Sequence, residues 1–359
     1  MWHTEFGTTK EGETAYRYLL MNNRGMCVEV SDFGALVLSV FVLDRYGKNR
    51  DVVLGYDNLT DYYEQETGFG AYIGRNANRI AGAEVTIEGI KYLLDKNNNG
   101  DNLHSGFNRS HDKLYRARTG QNEEGKFVEL ERYSPHMEQG FPGNLRQIIR
   151  YTLTDKNEFV IDYEMQSDKT TVVNPTNHSY FNLDGHKSGT VLNHDMEIYS
   201  GQILETDKDM IPTGRIIDVA DTPFDFRKRK RAGKEIDSEN ILLKNAGGYD
   251  HNYIFPNDRR LRKVAELYGA DSGIVMEVFT DLCGLQVYTG NFLNGQKGKE
   301  NAVYEKQSGI CFETQFYPNA CKETEFPSCI LPAYKVFKSK TVYQFHTEQA
   351  QGGRMEAYR

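Results

Sequence analysis

Short runs of alternating apolar and polar residues, cut by Gly, Asn and Asp, constrain this chain more than any other feature. In the run 159–165, Phe159, Ile161, Tyr163 and Met165 fall on one face of an extended chain, and Asp162 and Glu164 on the other. Successive side chains of a strand point to opposite sides, so this period of two describes a strand with one face turned to a core. Residues 85–93 alternate on both sides of Glu88-Gly89, a turn-like pair that predicts a hairpin. Met276-Val278 and Leu285-Val287-Tyr288 alternate in the same way. Helical periodicity beyond two turns is hard to find, and residues 235–245 predict one short helix. No internal repeat, low-complexity tract or Pro/Ser-rich linker divides the chain. The expectation is an all-β fold, a large antiparallel β-sandwich with few short helices, forming a single domain over residues 1–359. The chain has 359 residues, 38% of them hydrophobic, which is enough for a large core.

The formal net charge of −8 argues against a nucleic-acid protein, which would carry a basic face. The one dense basic run, Arg227-Lys228-Arg229-Lys230-Arg231, is expected to be a solvated loop after Phe224-Asp225-Phe226. Five cysteines, an odd number without a C-x-x-C pair, argue against a disulfide framework or a zinc site. No stretch approaches the roughly 18 apolar residues of a membrane span. The N-terminus has no basic segment followed by an apolar one, so a cytoplasmic location is expected, or a periplasmic or secreted one if a leader had been removed. Aromatic residues make up 12%, with 23 Tyr and 19 Phe. They favour strands, and their flat faces also stack on the C–H face of sugar rings.

Several polar clusters are candidates for chemistry. Residues 95–100, Asp-Lys-Asn-Asn-Asn-Gly, match the first half of a calcium loop, but Gly106 occupies the position that needs a bidentate Glu, so the stretch is expected to be an Asn/Gly turn. His104 follows among small residues that leave its ring approachable, with a structural or merely exposed loop histidine as the alternative. His178 sits in Asn174-Pro175-Thr176-Asn177-His178-Ser179-Tyr180-Phe181-Asn182, dense in groups that donate and accept hydrogen bonds, as a polyhydroxylated ligand requires. Glu313 shares one strand face with Cys311 and Gln315, while Ile310 and Phe312 share the other. Phe312 and Phe316 close by would desolvate its carboxylate and suit it to accept a proton; a solvent-facing sheet Glu is the alternative. Asp250 and His251 form a polar knot after Gly247-Gly248. Arg79 offers a rigid fork of donors to sugar oxygens, with a surface arginine as the alternative.

These blocks together resemble the aldose 1-epimerase (galactose mutarotase) family. The matching pieces run in order through Gly74–Ile80, Asn102–Gly106, Thr176–Leu183, Thr222–Phe226, Gly248–Asn252, Gln286–Asn291 and Glu313–Pro318. Two positions depart from the family pattern: Ser105, where Gly is frequent, and Asn319, where Asp is common. The resemblance implies a sandwich with an open sugar groove, and no metal or organic cofactor. It implies His178 as general acid, Glu313 as general base and His104 as a second histidine that orients the sugar and polarises its ring oxygen. It also implies Asn78, Arg79, Asp250 and Gln286 as contacts to sugar hydroxyls, with Ser179 and Tyr180 shaping the site beside the acid. The partner is then a small free sugar such as galactose or glucose, with no nucleic acid and no membrane, and the chain a monomer or dimer.

The chemistry implied is ring opening of a hemiacetal and closure on the other face. A base removes the O1 proton while an acid protonates the ring oxygen O5. A nearby carboxylate is expected to keep the imidazolium of His178 populated. Three other readings stay open on sequence: a glycoside hydrolase using Glu313 and Asp250, a non-catalytic sugar binder, and a mutarotase for hexose phosphates.

Overall fold

The computed structural model describes residues 2–64 and 67–348. The hairpin expected around Glu88-Gly89 forms from Glu84–Ile87 and Ile90–Leu93. Both turn residues have positive φ, 51° and 79°, the geometry whose twist matches a two-residue hairpin. The alternating run around residue 161 is the strand Glu158–Ser167, with its odd-numbered apolar residues buried and Asp162 and Glu164 half-buried.

Strands of this kind assemble into two large antiparallel sheets and a smaller third. The nine-stranded sheet runs in the order Arg116–Gln121, Lys126–Ser134, Leu145–Leu153, Glu158–Ser167, Val336–Thr347, Ile274–Thr280, Arg262–Tyr268, Asp195–Ile198, Lys230–Arg231. The six-stranded sheet runs Tyr180–Phe181, Ile310–Gln315, Gly284–Tyr288, Asp250–Ile254, Gln202–Thr206, Pro212–Asp218. Five N-terminal strands between Trp2 and Asp51 form the third. One core cluster draws on all three, with Val28 and Val40 from the N-terminal sheet, Ile149 and Ile161 from the nine-stranded sheet, and Leu285, Val287, Ile310 and Phe312 from the six-stranded sheet. Each of these side chains stabilises the fold by roughly 1.5–3 kcal/mol through burial. Polar ties cross the same interface: the Tyr343 hydroxyl donates to the Phe312 carbonyl at 2.9 Å.

Parity then dictates what the other face of the six-stranded sheet carries. With Leu285, Val287, Ile310 and Phe312 turned to the core, Gln286, Tyr288, Cys311, Glu313 and Gln315 must turn away from it. Register aligns them: Gln286 lies opposite Glu313, Tyr288 opposite Cys311 and Asp250 opposite Tyr288. One continuous polar face results, and loops from the rest of the chain close over it.

Two short helices are present among the described residues. The helix expected within 235–245 occupies Ile241–Ala246, capped by Asn240, whose side chain accepts from the Leu242 N–H, and ended by Gly247 at φ 68°. A second, Leu59–Glu64, has no counterpart in the sequence reading. The basic run departs in part from the expected loop, because Lys230–Arg231 pair with Asp195 and Met196 as the edge strand of the large sheet. Carboxylates engage it: Arg227 meets Asp225 at 2.8 Å, Lys230 meets Glu235 at 2.7 Å, and Arg229 meets Glu348 at 3.2 Å. The five cysteines are free thiols.

Candidate active site

Two very short ladders bring distant polar blocks to the open face of the six-stranded sheet. Thr176–His178 pairs with Ala71–Ile73, which sets His178 opposite Ala71. Arg79–Ile80 pairs with Asn102–Leu103, which sets Arg79 opposite Leu103 and so beside His104. The wall that carries these ladders is anchored by Arg75, which is 0% exposed. Its guanidinium donates to the Pro142 carbonyl at 2.8 Å, to those of Pro135 and Gly143 at 2.9 Å, and to the Ser134 hydroxyl. Burial pushes its pKa down to about 10, so it stays charged at neutral pH. The cleft has a volume of about 690 Å³, and His104, His178, Tyr180, Asp250 and Glu313 line it.

His178 and Glu313 meet on the cleft floor. The His178 Nε2 lies 3.6 Å from the Glu313 Oε1, and the side chains are 9% and 3% exposed. Glu313 is therefore not the solvent-facing sheet carboxylate that the sequence left as an alternative. Its Oε2 is buried with no hydrogen-bond partner. Desolvation, reinforced by the charge of Asp250, holds the carboxyl well above the usual carboxylate range. Burial pushes His178 down to about 4. That reverses the expectation of a populated imidazolium: in a site this dry the cost of charge outweighs the attraction of the neighbouring carboxylate. Both shifts favour the uncharged pair, a neutral imidazole beside a protonated carboxyl, over the ion pair.

The remaining candidates fall into two groups. His104 accepts the Asn78 backbone N–H at its Nδ1, at 3.1 Å, so the neutral ring carries its proton on Nε2. Desolvation, with the nearby His178 and Arg79, holds its pKa well below the ordinary value, and the ring is thus an N–H donor rather than an acid. Its centroid lies 5.4 Å from that of His178 in an edge-to-face arrangement. Arg79 spends its Nε–H on Asn98 Oδ1 at 3.0 Å and keeps its other donors at the cleft, beside Asn78. Asp250 accepts from Gln286 Nε2 at 2.6 Å. Tyr180 stacks on His178 with centroids 5.0 Å apart and donates its hydroxyl to the Thr67 carbonyl. Ser179 and Gln286 are buried and do not line the cleft. Ser179 donates to Asn177 Oδ1 at 2.6 Å, and Gln286 reaches the cleft only through Asp250.

Other lining residues were missed in the sequence. Asn97 and Asn98 belong to the stretch dismissed as a calcium loop. It is a turn, as expected, but it also fixes Leu103, through Asn97, and Arg79, through Asn98. His111 and the exposed Phe107 and Phe292 carried no motif signal, and Tyr288 lay inside the block Gln286–Asn291 without an assigned role. Cys311 was placed on the Glu313 face by alternation, but only the structure sets its Sγ 3.5 Å from the His178 Nδ1. The two departures from the family pattern are structural. Ser105, at φ 68°, accepts the Asn76 N–H and donates to the Asn76 carbonyl. Asn319 accepts the Ala81 N–H, and its own N–H is bonded to the Arg79 carbonyl.

The family model for aldose 1-epimerase matches residues 16–344. The galactose mutarotase of Sus scrofa is 39% identical over 95% of this chain and 97% of its own. The aldose 1-epimerase of Escherichia coli K12 is 36% identical over 93% and 96%. Among solved structures, galactose 1-epimerase from Lactobacillus acidophilus superposes with a TM-score of 0.85 at 26% identity, covering 97% of this chain and 98% of that one. An aldose epimerase homologue from C. elegans gives 0.84 at 27% identity, covering 93% and 100%. Likeness of this extent, in sequence and in fold alike, has one consequence: the chain belongs to the aldose 1-epimerase family.

Proposed function

We propose that this enzyme interconverts the α and β anomers of free hexoses such as galactose and glucose, with His178 and Glu313 as its proton-transfer pair. The observation that carries the reading is the buried contact of 3.6 Å between His178 Nε2 and Glu313 Oε1 on the floor of an open cleft. Mutarotation needs one group to take the O1 proton and another to protonate O5, and nothing that forms a covalent bond to the sugar. A pair sharing one proton meets that need. In the ionic form, Glu313 takes the O1 proton as His178 gives its own to O5. The open-chain sugar then faces neutral His178 and protonated Glu313, the form this dry site favours. Rotation about C1–C2 presents the other face of the aldehyde, and the two transfers run backward. Each partner contributes about a hundred- to ten-thousandfold to the rate. The His104 Nε2–H supports the ring oxygen, while Arg79, Asn78 and Asp250 bind hydroxyls.

The rival readings lose ground on particular contacts. None of residues 227–231 lines the cleft, and of the two arginines that do, Arg109 is held by Asp112 at 2.7 Å, which leaves Arg79 alone to meet a sugar phosphate. A hydrolase would need a second free carboxylate, and Asp250 is held by Gln286. Polarimetry over galactose, glucose, xylose, maltose and glucose 6-phosphate tests the reading, together with release of reducing sugar from an aryl glycoside. Acceleration of galactose or glucose mutarotation without hydrolysis is expected. Sugar binding without acceleration would overturn it.

A further inference from the structure

We propose that His178, Cys311 and Glu313 form a binding site for a soft divalent cation of the zinc class, and that the bound ion inhibits the enzyme. All three side chains are buried, and one ligand atom from each lies within 4.8 Å of the others. The Cys311 Sγ and His178 Nδ1 are 3.5 Å apart. With ordinary Zn–S and Zn–N lengths of about 2.3 and 2.1 Å, that separation subtends about 105° at the metal, close to the tetrahedral angle, so this edge of the site needs no movement. Glu313 supplies the third ligand, one carboxylate oxygen lying within 4.8 Å of a ligand atom of each of the other two residues. Its Oε2 is buried with no partner, and so is free to be recruited.

Charge and softness point the same way. A thiolate, a carboxylate and a neutral imidazole balance a divalent cation, so the complex is neutral in a site where isolated charge is costly. Asp250, whose charge acts on both Cys311 and Glu313, adds attraction for a cation. Sulfur and imidazole ligands favour zinc over magnesium or calcium, which demand oxygen. Coordination breaks the Cys311 S–H bond, forms the metal–sulfur bond and releases the thiol proton to solvent, together with the carboxyl proton when Glu313 holds it; nothing is oxidised or reduced. Binding depends only on the three ligands. Inhibition rests on the reading of His178 and Glu313 as the proton-transfer pair, because a metal on Nδ1 keeps His178 from forming the imidazolium that gives its Nε2 proton, and a metal on the Glu313 carboxylate competes with the O1 proton.

The test uses the whole protein, stripped of metal in a non-chelating buffer. Titration with cobalt(II) should raise a thiolate-to-cobalt charge-transfer band, and zinc should displace it. Zinc should slow galactose mutarotation, and the protein should release protons as it binds. Cys311→Ser should lose the band and raise the inhibitory zinc concentration by more than the roughly 10–100-fold that loss of a mere outer partner costs a metal site. Cys27→Ser and Cys321→Ser, at half-buried thiols away from the cleft, should change neither. Saturating galactose should suppress the band in the unsubstituted protein, which tests the location even if Cys311→Ser does not fold. Absence of the band, or wild-type zinc inhibition in folded Cys311→Ser, overturns the site. A band with undiminished turnover leaves the site standing and instead refutes inhibition and the role of the acid–base pair.

Discussion

Replacing Glu313 with Gln separates what this residue does for turnover from what it costs the fold. The substitution keeps the shape of the side chain and removes its ability to take a proton. Loss of a positioned base lowers the rate by about 10²–10⁴, which is about 3–5 kcal/mol on the barrier. Stability should move the other way. The folded carboxyl titrates well above its ordinary value because burial disfavours its charge. A group raised in this way contributes its full stability below the unfolded pKa, about 4.3, and loses it as pH rises toward the folded pKa, at about 1.4 kcal/mol for each pH unit between the two. With 2% exposure, solvent does little to screen that penalty. Glutamine has nothing to ionise. Its amide also faces Gln286 across the ladder, whose Oε1 is buried without a donor. The stability of the variant relative to the wild type in urea unfolding should rise from pH 5 to pH 8, where the variant should be the more stable, while polarimetry shows turnover nearly gone. Turnover within about tenfold of wild type would refute the base. A variant less stable than wild type at pH 8 would refute the burial penalty.

Three further outcomes follow from the same contacts. In the pH profile of kcat the acid limb should lie near the His178 value of about 4, and the alkaline limb above the ordinary carboxylate range; an acid limb at about 6.5, the unperturbed histidine value, would count against burial as the controlling effect. Arg79→Ala should raise KM by about ten- to a hundredfold, the loss of one charge-assisted hydrogen bond, with a smaller change in kcat; an unchanged KM in steady-state polarimetry would remove it from the hydroxyl contacts. Arg75→Met should destabilise the fold by at least about 3 kcal/mol in urea unfolding, since the carbonyls of Pro135, Pro142 and Gly143 would lose their donor in a buried setting.

Legibility in the sequence followed the range of the forces involved. The hairpin at Glu88-Gly89 and the strand through Ile161 could be read because alternation and turn chemistry are local. The helix at Ile241 was placed only roughly, and Leu59–Glu64 was missed, because six residues hold too little periodicity to declare a helix. The ladders that carry His178, Arg79 and His104 are two or three residues long and could not be read at all. Their pairing is set by the loops that close around Arg75, not by propensity. Ser179 and Gln286 stood in the right blocks, but whether a side chain reaches the cleft or turns to a neighbour such as Asn177 is decided by packing.

Glu313 shows where the division lies. Alternation alone set Glu313, Cys311 and Gln315 on one strand face and Ile310 and Phe312 on the other, because successive side chains must oppose each other. It could not say what that face meets. Tertiary structure covered it with the His178 ladder, the Arg79–His104 wall and the neighbouring strand of Gln286, and so turned a sheet carboxylate into a buried, proton-holding one. The physical reason is that parity is a property of the backbone, whereas desolvation belongs to everything packed around a group.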